Sequence, residues 1–216
     1  MQYNVWLMPY SNFGTDYNPS WGVAYKIREK LLDKSCSERR YACRIRRVGV
    51  NIYDANEAVD EVAFLDESGQ LKIDVVVAIG ENAGLSVPFD FEHKGVASAN
   101  DISGQYDPYG RPIDGTPQAY GPKIEGKVAG WYYNLNVRDL VNRYNQTAGN
   151  TSESPNAGNY LCGYMTERLA STPTLTDKAF FVHVKDFDPT KEEAGRDEAG
   201  DLLAGFIDSF CSPPHA

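Results

Sequence analysis

Strands that alternate with helices along 216 residues predict an α/β fold, a three-layer αβα sandwich with a mixed, mainly parallel central sheet. Two short apolar runs, IDVVVAI at 73–79 and AFFVHV at 179–184, carry the first part of this expectation. Unbroken runs of that composition mark strands covered on both faces. Helical periodicity in the segments around them carries the second part. The length predicts a single domain over 1–216, since about 150 residues is typical of one domain.

The elements follow in order. Residues 3–8 (YNVWLM) are rich in β-formers and read as a strand closed by Pro9. After a loop dense in Gly, Pro, Asn and Asp, a helix opens at Pro19-Ser20, with Ala24, Ile27, Leu31 and Leu32 as its apolar face. Residues 41–52 read as a second strand. Residues 54–66 read as a helix with Ala58, Val62 and Leu65 on one side and Gly69 beyond its end. The strand at 73–79 ends in GENAG, and SVPFDFEH alternates like a short hairpin arm. The polar stretch from there to about residue 130 is long enough to be a functional loop region. Helices are expected at 137–144, from Cys162 through CGYMTERLA, and at 197–210, the last with a stripe of Leu202, Leu203, Phe206 and Phe210.

Charge narrows the function. A formal net charge of −9 opposes nucleic-acid or anionic-membrane binding, because both need a positive field. That argument also covers the aromatic-rich stretch from Tyr106 to Tyr133. No apolar run approaches the ~20 residues that span a bilayer. With no CxxC pair and three histidines, a Cys/His zinc site has little material, so neither metal nor other cofactor is expected. Four cysteines in a chain this long fit free thiols in a reducing cytoplasm.

Active groups in such a sheet gather beyond the carboxyl ends of the strands. Cys162 falls in the first turn of a predicted helix, where the helix dipole favours a thiolate. His183 lies near the end of the AFFVHV strand, and Glu92 lies in the loop after the central strand. A thiol, an imidazole to exchange its proton and a carboxyl to orient the imidazole make the cysteine form of the catalytic triad. Residue types alone leave this open: a lone cysteine is more often a small buried hydrophobe, and a histidine on an apolar strand a satisfied core residue.

Four stretches resemble the type I pyroglutamyl peptidases (pyrrolidone-carboxylate peptidases). YSNFGTDYNPSW, from Tyr10 to Trp21, is similar to the family's F-x-P-F-G element followed by N-P-S. NAGNYLCGY resembles its nucleophile motif, and Phe181-Val-His-Val its histidine strand. Counting Ala83 as the first residue, Glu92 is the tenth, where the family has its acid after A-G-G-R. The order Glu, Cys, His also matches.

The resemblance implies a cysteine peptidase that removes an N-terminal pyroglutamyl residue, with Cys162 as nucleophile, His183 as acid–base and Glu92 as orienting acid. It implies substrate contacts from Tyr10, Phe13, Asn82, Tyr160 and Leu161, with aromatic rings of the first loop sandwiching the flat lactam. The expected partner is a small peptide or N-acyl amide, and homo-oligomers are known among such relatives. The sequence departs from the pattern at Asn82, where the family has Gln, at Ser86, where it has the Arg of the oxyanion site, and at Asn12, in place of Pro. These departures leave open an amidase or acyltransferase acting on another N-acyl group, or a non-catalytic binding protein on the same scaffold.

Overall fold

A computed structural model describes residues 1–11, 18–50, 52–82, 84–92, 94–96, 130–132, 142, 145, 151–154, 161–186 and 192–211. Its strands are β1 (Gln2–Pro9), β2 (Arg40–Ile45), β3 (Val75–Asn82), β4 (Phe89–Glu92), β5 (Lys94–Val96), β6 (Gly130–Tyr132), β7 (Thr151–Ser154) and β8 (Ala179–Lys185). Its helices are α1 (Pro19–Asp33), α2 (Ile52–Glu67), α3 (Leu161–Ser171) and α4 (Glu192–Cys211). The main sheet has six strands in the order β2-β1-β3-β8-β4-β7, and β5 pairs with β6 in a separate antiparallel ribbon.

β1, β2, β3 and β8 run parallel, whereas β4 runs antiparallel to β8 and parallel to β7. The sheet is thus mixed and mainly parallel. From β1 the chain crosses through α1 to β2 on one side, then through α2 to β3 on the other. Right-handed crossovers in opposite directions put those two helices on opposite faces. α1 packs with α4, and α2 with α3, which completes three layers.

Local chemistry explains most boundaries. Asn18 caps α1 by accepting from the Ser20 backbone N–H at 2.9 Å, and Pro19 takes the first helical position. Ser20 Oγ donates to the Tyr10 carbonyl at 3.0 Å, and Asn18 Nδ2 to the Ser11 carbonyl at 3.0 Å. The N-P-S element therefore ties the start of α1 to the end of β1. Gly69, at φ 70°, turns the chain out of α2 in the left-handed region.

β2 stops at Ile45 rather than at residue 52, because Arg46 turns to Asp54 and Glu61 of α2 at 3.1 Å each. Pairing with β1 resumes only as a bridge between Tyr10 and Val48. β4 is not the arm of a hairpin: the chain passes β8's position and inserts β4 on its far side. In α1, Ala24, Ile27 and Leu31 are buried, but Leu32 is turned to solvent, about 100° round the helix from Leu31. α4 begins five residues before the expected start at 197. The long polar stretch at 97–129 and the expected helix at 137–144 lie outside the described residues, apart from Asn142.

Period-two alternation gives β4 two different faces. Phe89 and Phe91 point toward α4, where Phe91 meets Phe206 at 4.3 Å between ring centroids and Phe180 meets Phe206 at 5.3 Å. Asp90 and Glu92 point to the opposite face. Phe206 is the hub of this aromatic cluster. Phe206→Ala should cost about 3–5 kcal/mol of stability, read as a lowered urea midpoint at unchanged slope; a shift below 1 kcal/mol would show that the cluster collapses around the void.

Candidate active site

β3 and β8 run side by side, and their register sets Gly80 opposite His183. On the other side of β8, Asp90 stands opposite His183 and Glu92 opposite Phe181. His183 thus projects from a central strand between a residue without a side chain and one with a carboxyl. α3 starts just past the carboxyl ends of β3 and β8, and Cys162 is its second residue. This is where open α/β sheets hold their ligands.

His183 Nδ1 lies 2.6 Å from Glu92 Oε1 in a buried hydrogen bond. The Cys162 sulfur acts on the same imidazole, and a Cβ built on Gly80 would touch both, 3.0 Å from Sγ and 3.2 Å from His183 Cδ2. With Nδ1 taken by Glu92, Nε2 is the ring nitrogen left for the sulfur. Sulfur, imidazole and carboxyl therefore form one connected line, although they come from α3, β8 and β4. Glu92 is only 1% exposed and His183 6%, while Cys162 is partly exposed.

Burial works against a charged imidazole, but the Cys162 sulfur and the Glu92 carboxylate overcome it and raise His183 from 6.5 to about 10. Cys162 and Glu92 are the groups that favour the charged ring against its burial. The raised value also fixes a sign. The stabilising contribution of charged His183 is complete below 6.5 and is lost as pH rises through about 10.

Gly80 makes the contact between thiol and imidazole sterically feasible. A Cβ at that position would sit 2.8 Å from Cζ of Phe181, 3.0 Å from Sγ of Cys162 and 3.2 Å from Cδ2 of His183. Any side chain there would push the sulfur and the ring apart. In the sequence the one signal for Gly80 is a small residue following an otherwise Val- and Ile-rich run.

Tyr10 is buried, and its hydroxyl donates to the Leu161 carbonyl at 2.9 Å. Its ring lies 6.4 Å from that of Phe181. It therefore anchors the first residue of α3, next to Cys162, from the end of β1. Leu161 itself is buried, and its carbonyl receives that bond. Thr166 Oγ1 closes on the Cys162 carbonyl at 2.8 Å, and Tyr164 reaches Asn56 of α2 at 2.7 Å. Asn82, two residues beyond Gly80 on the same face of β3, is half-buried. Its Oδ1 accepts from the Gly84 N–H at 3.0 Å, forming the turn that ends the strand. Ser86 is exposed. Phe13 and Tyr160 lie outside the described residues.

Asp90 was not among the residues singled out from the sequence. It is 6% exposed, and burial and the neighbouring Glu92 raise its carboxyl to about 6. Its signal was the F-D-F-E alternation, which puts both acids on one face.

No protein-family model and no curated protein matches this chain. Among solved structures it is similar to pyrrolidone carboxyl peptidase from the hyperthermophile Pyrococcus furiosus, at 17% identity and a TM-score of 0.62 over 96% of this chain and 99% of that one. Pyrrolidone carboxyl peptidase from Thermus thermophilus is similar at 17% identity and a TM-score of 0.63, covering 94% of this chain and 96% of that one. The chain has the α/β fold of these peptidase structures. No helix among the described residues is long and apolar enough to cross a membrane.

Two outcomes are expected. Gly80→Ala should slow iodoacetamide alkylation of Cys162 by about tenfold or more, since small misplacements of reacting groups carry penalties of that order; an unchanged rate by mass spectrometry would refute the steric role. The stability advantage of the wild type over His183→Gln, read as a denaturant midpoint, should shrink between pH 8 and pH 11; an advantage constant over that range would contradict a charged, stabilising His183.

Proposed function

We propose that this chain is a cysteine hydrolase of amide bonds, a divergent relative of the pyrrolidone carboxyl peptidases that removes an N-terminal pyroglutamyl or similar small cyclic or acyl residue. The observation that supports it is the connected line Cys162–His183–Glu92 at the carboxyl ends of β3 and β8. Four sequence stretches resembling that family, in the same order, support it further.

In this reading the Cys162 thiolate attacks the acyl carbonyl of the scissile amide. Carbonyl electrons move onto oxygen, and the resulting oxyanion meets the Cys162 backbone N–H, one of the donors that a helix start leaves without an intrahelical partner. Such a donor contributes about 3 kcal/mol of barrier lowering. When the intermediate collapses, the C–N bond breaks and His183 Nε2–H protonates the departing amine, leaving a thioester on Cys162. Water then loses a proton to His183 and attacks the thioester, which releases the acid and restores thiolate and imidazolium. Glu92 fixes the tautomer and stabilises the ring whenever it is charged. Tyr10 and Leu161 set the helix that carries the sulfur. Phe13, Asn82 and Tyr160 are assigned to the acyl pocket from the family resemblance.

A second substrate reading rests on Ser86. It is exposed and uncharged where the family carries its oxyanion Arg, and Asn82 commits an oxygen to its own turn. A pocket with altered polar partners can reverse its preference for a hydrogen-bonded ligand. An amidase or acyltransferase on another small N-acyl group keeps the same three residues. Four free cysteines fit action in the reducing cytoplasm.

Release of fluorophore from a pyroglutamyl amide should be blocked by iodoacetamide. It should fall by about 10⁴-fold or more in Cys162→Ala, the scale seen when a triad nucleophile is removed. Release no faster than in Cys162→Ala would end the pyroglutamyl assignment. Turnover of a different N-acyl amide by the same thiol would then establish the second reading.

A further inference from the structure

β4 presents two carboxyls to the same face, and each keeps one buried oxygen without a hydrogen-bond partner among the described residues. Glu92 Oε1 is held by His183 Nδ1, but Glu92 Oε2 and Asp90 Oδ1 are buried without a hydrogen bond. One oxygen of each carboxyl and one ring nitrogen of His183 lie within 4.8 Å of one another. Two carboxylate oxygens are both acceptors, so neither can satisfy the other unless a proton stands between them.

Charge balance leads to the same place. With His183 charged, two ionised carboxyls on that face would leave a buried net charge of −1, which burial penalises. A single proton on the pair removes that excess. Among the described residues the groups around it are few. From β8, His183 faces Asp90, and Lys185 lies two residues on, level with Pro88. From β7, Ser152 and Ser154 occupy the register positions of Asp90 and Glu92, and Glu153 that of Phe91. Cys162 reaches the cluster from α3 through the imidazole.

We infer that Asp90 is a further positioning residue of this site: in its protonated form its hydroxyl donates to Oε2 of Glu92 and locks that carboxylate with Oε1 on His183. The inference deepens the proposed function and rests on it for its consequence in catalysis, though not for the proton itself. The direction of Asp90's titration agrees, because its carboxyl is raised from 3.8 to about 6 by burial and by Glu92. A carboxyl raised in the folded state contributes stability that is complete below 3.8 and lost as pH rises through about 6.

The test uses infrared spectroscopy and thiol alkylation on the full chain. The wild type should show a buried carboxylic-acid C=O band at pH 5 that disappears as pH rises through about 6, and Asp90→Asn should lack it. Alkylation of Cys162 by iodoacetamide should step down about fivefold over the same range, the equivalent of one hydrogen bond. Asp90→Asn, whose amide remains a donor at every pH, should stay at the upper rate without the step, and Asp90→Ser should behave likewise. Asp90→Ala should stay at the lower rate throughout. Absence of the acid band, or an Asp90→Asn as slow as Asp90→Ala, overturns the inference even if Cys162 proves highly reactive. If instead the band is present but Cys162 reacts no faster than exposed Cys36, the shared proton stands and the hydrolase reading fails.

Discussion

The registered neighbourhood of His183 is the constraint on which the rest of the site depends. β8 lies between β3 and β4, so one imidazole has Gly80 on its parallel side and Asp90 on its antiparallel side. One neighbour supplies space and the other supplies charge. The space admits the sulfur of Cys162 from α3; the charge, through the adjacent Glu92, orients the ring. A shift of one residue in either pairing would turn these side chains to the opposite face, where Phe91, Phe180 and Phe206 pack.

The same strand serves core and chemistry. β4 is only four residues long, yet Phe89 and Phe91 anchor it in the aromatic cluster against α4 while Asp90 and Glu92 face the histidine. Burying two carboxyls is costly, and the apolar half of the strand offsets that cost by fixing β4 against β8. Rigidity there matters because an oriented imidazole requires an immobile acid behind it. Tyr10 plays the matching part for Cys162. Its hydroxyl holds the Leu161 carbonyl, while Asn18 and Ser20 clasp the backbone on which Tyr10 sits.

The electrostatics follow from this enclosure. A half-exposed sulfur, a buried imidazole and a buried carboxyl interact through a medium far less screening than water, so each neighbour's charge is felt strongly. Burial works against a charged imidazole, and Cys162 and Glu92 on its two sides outweigh it, raising His183 to about 10. The likeness to pyrrolidone carboxyl peptidase structures covers the fold that carries this arrangement.

By itself the sequence determined the elements whose signals are local. IDVVVAI and AFFVHV specified buried strands through unbroken apolar character, Pro19-Ser20 specified a helix start, and Gly69 specified a helix end. The order of Glu92, Cys162 and His183 was also readable, because the resemblance lay in short motifs. Only the tertiary structure decided where β4 goes. SVPFDFEH alternates equally well in a hairpin or inside a sheet, and pairing with a strand some ninety residues later leaves no trace in a short window. For the same reason Asp90 and Gly80 were invisible as site residues. Their importance comes from standing on either side of one histidine, a property of register between strands distant in sequence.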